Sequence, residues 1–377
     1  MPTSIRPRIL LLIPHLGGGG AEHVTALLAR GLSAEKYDLH LGVITQTKAD
    51  GVGVPSWVHL HACGAPRVRA GAFRLLHLIH QLRPDLILSG MFHLNFLVLL
   101  LRPFFPSRTR ILIRQNGTLS SSLAFGGLPW HTRPLYRLLY RRADRVICQT
   151  RAMAADLASE LGLAANRLVV LPNPVDVEEI RNSIRRERRE WTGPGPHLLA
   201  MGRLSREKGF DLLLQALVQV QKDLPDASLL IAGVGPEEEA LKAERHALGL
   251  DSAVRFAGHL AQPWPYLAEA TLFVLSSRHE GLPNSLLEAA AAGLPIVALP
   301  ASEGVVEVLR GQPGVWLALE MSAEALAASL LAALGSLQPK ERFAHSFVEE
   351  FSIDRAIGAY EKLIDATLQT SARSDEA

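Results

Sequence analysis

Two carboxylates, Glu280 and Glu288, stand eight positions apart in Arg278-His-Glu-Gly-Leu-Pro-Asn-Ser-Leu-Leu-Glu-Ala-Ala. An apolar run, 271–275, ends just before the first, and the second lies in an Ala/Leu-rich stretch of helical character. Gly281 and Pro283 mark a turn between them. A strand–turn–helix unit then sets one carboxylate at a strand's carboxyl end and the other about one turn into the helix. The helix start between them presents backbone N–H groups, a natural anion site. Two acceptors around such a turn suit a sugar nucleotide, with hydroxyls at each end and a diphosphate between. A capping glutamate followed by an exposed one would be written with the same letters.

Fixed cations fall in Gly202-Arg-Leu-Ser-Arg-Glu-Lys-Gly-Phe210, between a strand and a helix. Arg203 and Lys208 could there hold a diphosphate and stabilise it as a leaving group. A solvated basic loop is the plainer reading, and Arg206 fits that better. Pro14-His-Leu-Gly-Gly-Gly-Gly-Ala-Glu22 follows the first strand, and its glycines, Gly19 and Gly20 among them, allow close backbone approach to a ligand or simply a tight turn. A nicotinamide site would read G-x-G-x-x-G with an acid at the end of the second strand. These glycines are consecutive and that strand ends Ile-Thr-Gln-Thr, which disfavours a dehydrogenase. Ala232-Gly-Val-Gly-Pro236 repeats the strand–glycine–helix pattern, so Gly233 fits either a ligand approach or a turn.

No metal site is expected. No carboxylate or cysteine cluster accompanies His59/His61 or His77/His80, which read better as surface or core histidines, and no Asp-x-Asp pair occurs. Arg203, Lys208 and helix dipoles would have to neutralise the diphosphate.

Short β-rich runs alternate with helical stretches along the whole chain, the pattern of parallel sheets with helices on both faces. Two such series imply an α/β protein of two Rossmann-like, doubly wound domains: 1–178, and 179–352. Leu-Pro-Asn-Pro-Val-Asp, a charged helix over 181–190 and Thr-Gly-Pro-Gly-Pro mark the boundary. A last helix, about 353–370, crosses back onto the first domain in this reading, with a loose tail after it.

The 377 residues, 48% of them hydrophobic, suffice for two cores. Cys63 and Cys148 cannot frame a disulfide network, so a reducing compartment is the default. The N-terminal apolar run, 9–13, is too short for a signal peptide, and 91–101 is too short to span a bilayer. Residues 1–180 hold 20 Lys+Arg against 11 Asp+Glu, whereas 181–377 hold 19 against 26. A basic first half suggests an anionic partner, a membrane surface before nucleic acid, because no nucleic-acid motif accompanies it. Arg133, Arg137 and Arg141 share a helical face, and with Arg142, Arg145 and two tyrosines they could rest on anionic lipid or form a solvated face.

Taken in order, Gly-Gly-Ala-Glu (19–22), Ala-Asp-Arg-Val-Ile (143–147), Leu-Pro-Asn-Pro-Val-Asp (171–176), Gly-Arg-Leu-Ser-Arg-Glu-Lys-Gly (202–209), Ala-Gly-Val-Gly-Pro (232–236) and Glu280 to Glu288 resemble one family. The chain is similar to GT-B glycosyltransferases of family four, the retaining, glycogen synthase and mannosyltransferase-like group one enzymes. The resemblance implies two Rossmann-like domains facing a cleft, the first on the acceptor side and the second binding the donor. It implies that Glu280 hydrogen-bonds the donor sugar and that Arg203, Lys208 and the backbone at Gly281 and Leu282 meet the diphosphate. Glu288 would hold the ribose, and Gly19 and Gly20 would line the cleft near the diphosphate and acceptor. It also implies retention of configuration without a metal or other cofactor.

Many relatives carry a histidine after the fifth strand of the first domain, whereas this chain reads Ile113-Arg-Gln-Asn-Gly117. That variant resembles polysaccharide and glycolipid enzymes with N-acetylhexosamine donors, and Glu-Gly-Leu-Pro-Asn (280–284) points the same way. Arg114 or Asn116 would then serve the acceptor side. The expected activity is transfer of a hexose or N-acetylhexosamine from a nucleotide sugar, UDP-linked, to a polyprenyl-diphosphate-linked or growing surface-glycan acceptor. It would occur at the cytoplasmic face of the membrane. A transferase with a soluble acceptor, a GT-B epimerase and a silent sugar-nucleotide-binding partner are the alternatives.

Overall fold

The computed structural model describes residues 6–375 except 18, 46–53, 121–131, 186–190, 192 and 261. It divides into two compact units, Met1–Pro174 with Ser352–Ala377, and Val175–Phe351. The division falls four residues before the position read from the sequence.

The first unit is built on seven strands: β1 (Arg8–Ile13), β2 (Asp38–Thr45), β3 (His59–Ala65), β4 (Leu86–Ser89), β5 (Arg110–Arg114), β6 (Arg145–Cys148) and β7 (Leu168–Val170). Their order is β3-β2-β1-β4-β5-β6-β7, and every pairing is parallel. A parallel sheet is covered on both faces, which is why β1 after Arg8 is an unbroken apolar run. Leu10 and Leu12 pack into the core on one face with Ile87 and Ile111, while Ile9, Leu11 and Ile13 pack on the other with Leu39 and Leu41. Helices α1 (Gly20–Gly31), α2 (Ala72–Leu82), α3 (Phe92–Leu101), α4 (Arg133–Tyr140) and α5 (Arg151–Leu161) connect the strands.

The second unit has β8 (His197–Met201), β9 (Ser228–Ala232), β10 (Val254–Gly258), β11 (Leu272–Leu275), β12 (Ile296–Ala298) and β13 (Val315–Leu317), in the order β10-β9-β8-β11-β12-β13 and all parallel. Its helices are α6 (Val177–Ile184), α7 (Phe210–Asp223), α8 (Glu238–Ala247), α9 (Trp264–Glu269), α10 (Asn284–Ala291), α11 (Glu303–Leu309) and α12 (Ala323–Ser336). The charged helix expected over 181–190 begins earlier, at Val177, because Asp176 caps it by accepting from the Glu179 N–H at 3.0 Å. Residues 186–190 of that expectation lie outside the described residues.

The last helix, α13 (Ile353–Asp375), belongs to the first unit. Ile357, Tyr360 and Ile364 enter the core beside Val24 and Leu28. Glu361 accepts from the Ser33 N–H at 3.0 Å and pairs with Lys36, and Tyr37 donates to Asp365 at 2.6 Å. The helix continues through 371–375, where the sequence suggested a loose tail.

One carboxylate, from β2, lies among the histidines of β2 and β3. Asp38 lies 3.3 Å from His40 Nε2 and 3.7 Å from His59 Nε2, and His40 Nδ1 meets His61 Nε2 at 2.9 Å.

Candidate active site

In a doubly wound sheet, ligands bind beyond the strands' carboxyl ends where strand order reverses. In the second unit that point lies between β8 and β11. The loops leaving these two strands carry Arg203 and Lys208 on one side and Glu280 on the other.

Lys208 Nζ pairs directly with Glu280 Oε1, and both side chains are largely shielded. Ser277 donates its hydroxyl to the same Glu280 oxygen at 2.8 Å. Arg203 is exposed, and its guanidinium has no hydrogen-bond or ion-pair partner among the described residues. Gly281 and the buried Leu282 form the turn before α10, and the Gly281 carbonyl accepts from the Ser302 hydroxyl at 3.4 Å. Leu282 is 3% exposed and packs into the core. Its side chain anchors the turn, so only its backbone could serve a ligand.

Glu288 follows one turn into α10. Part of its surface remains open, but its carboxyl is densely surrounded by protein. Loss of solvation pushes it up to about 7. Glu280 and Glu288 therefore sit in unlike environments, one beside a cation and the other in a desolvated pocket.

Gly233 has φ +146°, and a Cβ there would collide with the Gly202 carbonyl. A Cβ on Gly235 would collide with the Leu204 backbone. The glycine pair thus lets two loops of the unit pack together, with Leu204 N–H donating to Val234 O at 3.0 Å and Glu237 N–H to Leu204 O at 2.9 Å. That packing, independent of any ligand, already accounts for glycine at both positions.

In the first unit, strand order reverses between β1 and β4. Gly19 caps α1 and Gly20 begins it. Glu22 is buried and folds back against Gly19, 3.4 Å from His15 Nε2, while His15 Nδ1 accepts from the Gly17 N–H. Asn116 lies after β5 and donates to the Gly90 carbonyl beyond β4, leaving its buried Oδ1 without a partner among the described residues.

Arg114 takes a different place from the one expected. It is 2% exposed at the end of β5, and its guanidinium meets Asn173 and lies beside Tyr360 of α13. Burial draws it below its ordinary value, and no carboxylate pairs with it among the described residues. It cross-braces the unit's interior and offers no surface to an acceptor.

The basic segment is also corrected in part. Tyr136 and Tyr140 point inward, Tyr136 stacking on Phe92 at 5.0 Å and Tyr140 donating to Gln115 at 2.9 Å. The exposed apolar residues of α4 are Leu135 and Leu138. Arg133 pairs with Glu160 at 3.0 Å and Arg142 donates to Leu99 O at 3.2 Å, whereas Arg137 and Arg141 stay exposed. No helix of the described residues is long and apolar enough to cross a membrane.

Ser277, Ser302 and the pairing of Arg278 with Asp211 escaped the sequence reading. The two serines carry no spacing signal. Arg278 and Asp211 lie 67 positions apart, and only the adjacency of β8 and β11 brings them together.

Comparison with known proteins agrees with this architecture. Residues 18–179 match the model of Glycosyltransferase Family 4, and residues 195–336 match that of Glycosyl transferases group 1. The lipopolysaccharide core biosynthesis glycosyltransferase LpsE of Rhizobium meliloti is 30% identical over 317 residues, covering 80% of this chain and 85% of the relative. N-acetylgalactosamine-N,N'-diacetylbacillosaminyl-diphospho-undecaprenol 4-alpha-N-acetylgalactosaminyltransferase of Campylobacter jejuni is 26% identical over 310 residues, 79% and 82% of the two chains. Among solved structures, Anabaena HepE in complex with UDP and glucose superposes with a TM-score of 0.79 at 18% identity, covering 95% of this chain and 99% of that one. Two Rossmann-like parallel-sheet units of this topology make the GT-B fold. The chain belongs to family four of the glycosyltransferases, the group one enzymes.

Proposed function

We propose that this enzyme transfers a hexose or N-acetylhexosamine from a UDP-linked sugar with retention of configuration and without a metal ion. The observation that carries the reading is the Lys208–Glu280 pair at the β8/β11 strand ends, beside exposed Arg203 and the start of the helix bearing Glu288. Glu280 orients hydroxyls of the donor sugar. Arg203, Lys208 and the Gly281–Leu282 backbone stabilise the diphosphate, and Glu288 accepts from the ribose hydroxyls. The bond from the anomeric carbon to the phosphate oxygen breaks on the face where the acceptor oxygen forms its new bond. The acceptor's proton passes to the departing phosphate oxygen. Preorganised cations favour that step because negative charge grows on the phosphate as the bond breaks.

The acceptor in this reading is a polyprenyl-diphosphate-linked or surface glycan, reached at a membrane surface. Support comes from the names of the Rhizobium and Campylobacter relatives and from the exposed Arg137, Arg141, Leu135 and Leu138 of α4. Gly19, Gly20 and Asn116 are assigned to the acceptor-side unit. UDP is the working nucleotide because UDP accompanies the structurally similar HepE.

The test is release of UDP from UDP-sugars, with and without a lipid-linked glycan, by the purified chain and by Arg203→Ala and Lys208→Ala. Removal of one preorganised contact should cost on the order of 3 kcal/mol in the barrier with the fold retained. Near-wild-type turnover at saturating donor in both variants would sink the reading.

A further inference from the structure

The two loops that present Lys208 and Glu280 are poorly held by the sheet itself. Strand β11 pairs with β8 only at Leu272↔Leu198 and Phe273↔Leu199. Beyond those two positions no β8–β11 pair is formed among the described residues, so contacts among loop side chains and main chain must hold the loops together. Ser276 donates to the Lys208 carbonyl at 2.9 Å, and the Arg278 N–H donates to the Glu207 carbonyl at 2.8 Å. The most specific contact is made by the Arg278 guanidinium. It donates to both Asp211 oxygens, at 2.6 and 2.5 Å, and to the Arg206 carbonyl at 3.0 Å.

Asp211 is the second residue of α7, and Arg206 lies in the short turn that ends at Lys208. One planar fork therefore ties the 276–280 loop to both ends of the segment carrying Lys208. A bidentate guanidinium–carboxylate pair fixes direction as well as distance, which an ammonium cannot do. Burial alone would raise the Asp211 carboxyl, yet the guanidinium, together with the Asp211 and Leu212 backbone N–H groups, holds it below its ordinary value.

We infer that Arg278 and Asp211 are positioning residues of the donor site, setting Lys208 opposite Glu280 without touching the substrate. The inference rests on the donor-site reading above and adds to it a function for two residues outside the glutamate pair. A carboxylate in the first turn of α7 also favours the positive helix end, so the pair stabilises the helix start as well. Structural and positioning roles are separable because Lys208 itself can be removed.

The experiment is calorimetry with UDP, together with melting curves, on the wild type, K208A, R278K, D211N, R278K/K208A and the exchanged pair R278D/D211R. R278K keeps the charge but loses the fork. R278K and D211N should each weaken UDP roughly tenfold, the equivalent of about 1.4 kcal/mol. R278K should have no further effect once Lys208 is gone, and the exchanged pair should recover much of the lost affinity. Unchanged UDP affinity in R278K, or an equal loss with and without Lys208, would overturn the inference while leaving the donor site standing. So would an exchanged pair that regains its melting temperature but not its affinity. If the wild type itself does not bind UDP, the donor-site reading falls and the brace with it.

Discussion

Glu280 and Glu288 carry the same functional group into different surroundings, and their substitutions should separate accordingly. Glu280 shares a cation and a serine hydroxyl, so Glu280→Gln should spare free UDP and impair the sugar nucleotide or its turnover. Glu288→Gln should weaken both ligands, with lost charge-assisted hydrogen bonds of ~1.5–3 kcal/mol each dominating. Calorimetry with UDP and with the donor distinguishes them, and equal effects on free UDP would overturn the assignment. Glu288 also predicts a pH dependence. Its folded value near 7 lies above its ordinary 4.5, so the unfolded chain ionises first as pH rises. The contribution of Glu288 to stability is neutral below about 4.5, falls between 4.5 and 7, and stays low above 7, by up to on the order of 3 kcal/mol. Glu288→Gln should therefore melt above wild type at pH 8, with the gap closing toward pH 4.5. A gap that ignores pH would show that the carboxyl is not held neutral.

Strand ends and short loops carry the site, and their tolerance to change follows from close packing. Gly233→Ala forces a side chain onto a left-handed backbone and against the Gly202 carbonyl. It should destabilise the second unit by at least ~1–3 kcal/mol, the scale of local backbone strain, and chemical denaturation would measure it. Little loss would mean the loops can shift apart cheaply. Helix α4 makes a separate prediction. Arg137 and Arg141 are exposed beside Leu135 and Leu138, whereas Arg133 and Arg142 are engaged within the unit. Reversing charge at Arg137 and Arg141 should weaken binding to anionic vesicles by up to about 1 kcal/mol per removed charge and leave UDP binding intact. Vesicle sedimentation insensitive to salt and to both substitutions would identify α4 as a solvated face.

For the whole chain, the donor reading predicts mass-action stabilisation. UDP at 100 times its Kd should add about 2.7 kcal/mol, visible as a raised melting temperature. Activity should persist in excess chelator, since Arg203, Lys208 and the α10 start are assigned the work of neutralising the diphosphate. Complete loss with chelator, restored by a divalent ion, would contradict that assignment.

The linear chain determined its family and its alternating strands and helices, because apolar runs such as Ile9–Ile13 and strand-end motifs are local patterns. It also put Arg203, Lys208 and Glu280 beside strand ends, with Glu288 a turn into the following helix, since each motif directly follows a recognisable strand. Side-chain partners were decided only in three dimensions. Arg114 looked like an acceptor contact, but β5 ends inside the unit, where Asn173 and a helix from the far end of the chain enclose it. The glycine at 233 read equally as a ligand approach or a turn until the adjacent β8 loop supplied the obstructing carbonyl. Tyr136 and Tyr140 turned inward because the eight-residue α4 buries that stripe against α3. Strand order, which local sequence does not encode, placed β8 beside β11 and so brought Lys208 to Glu280 and Arg278 to Asp211.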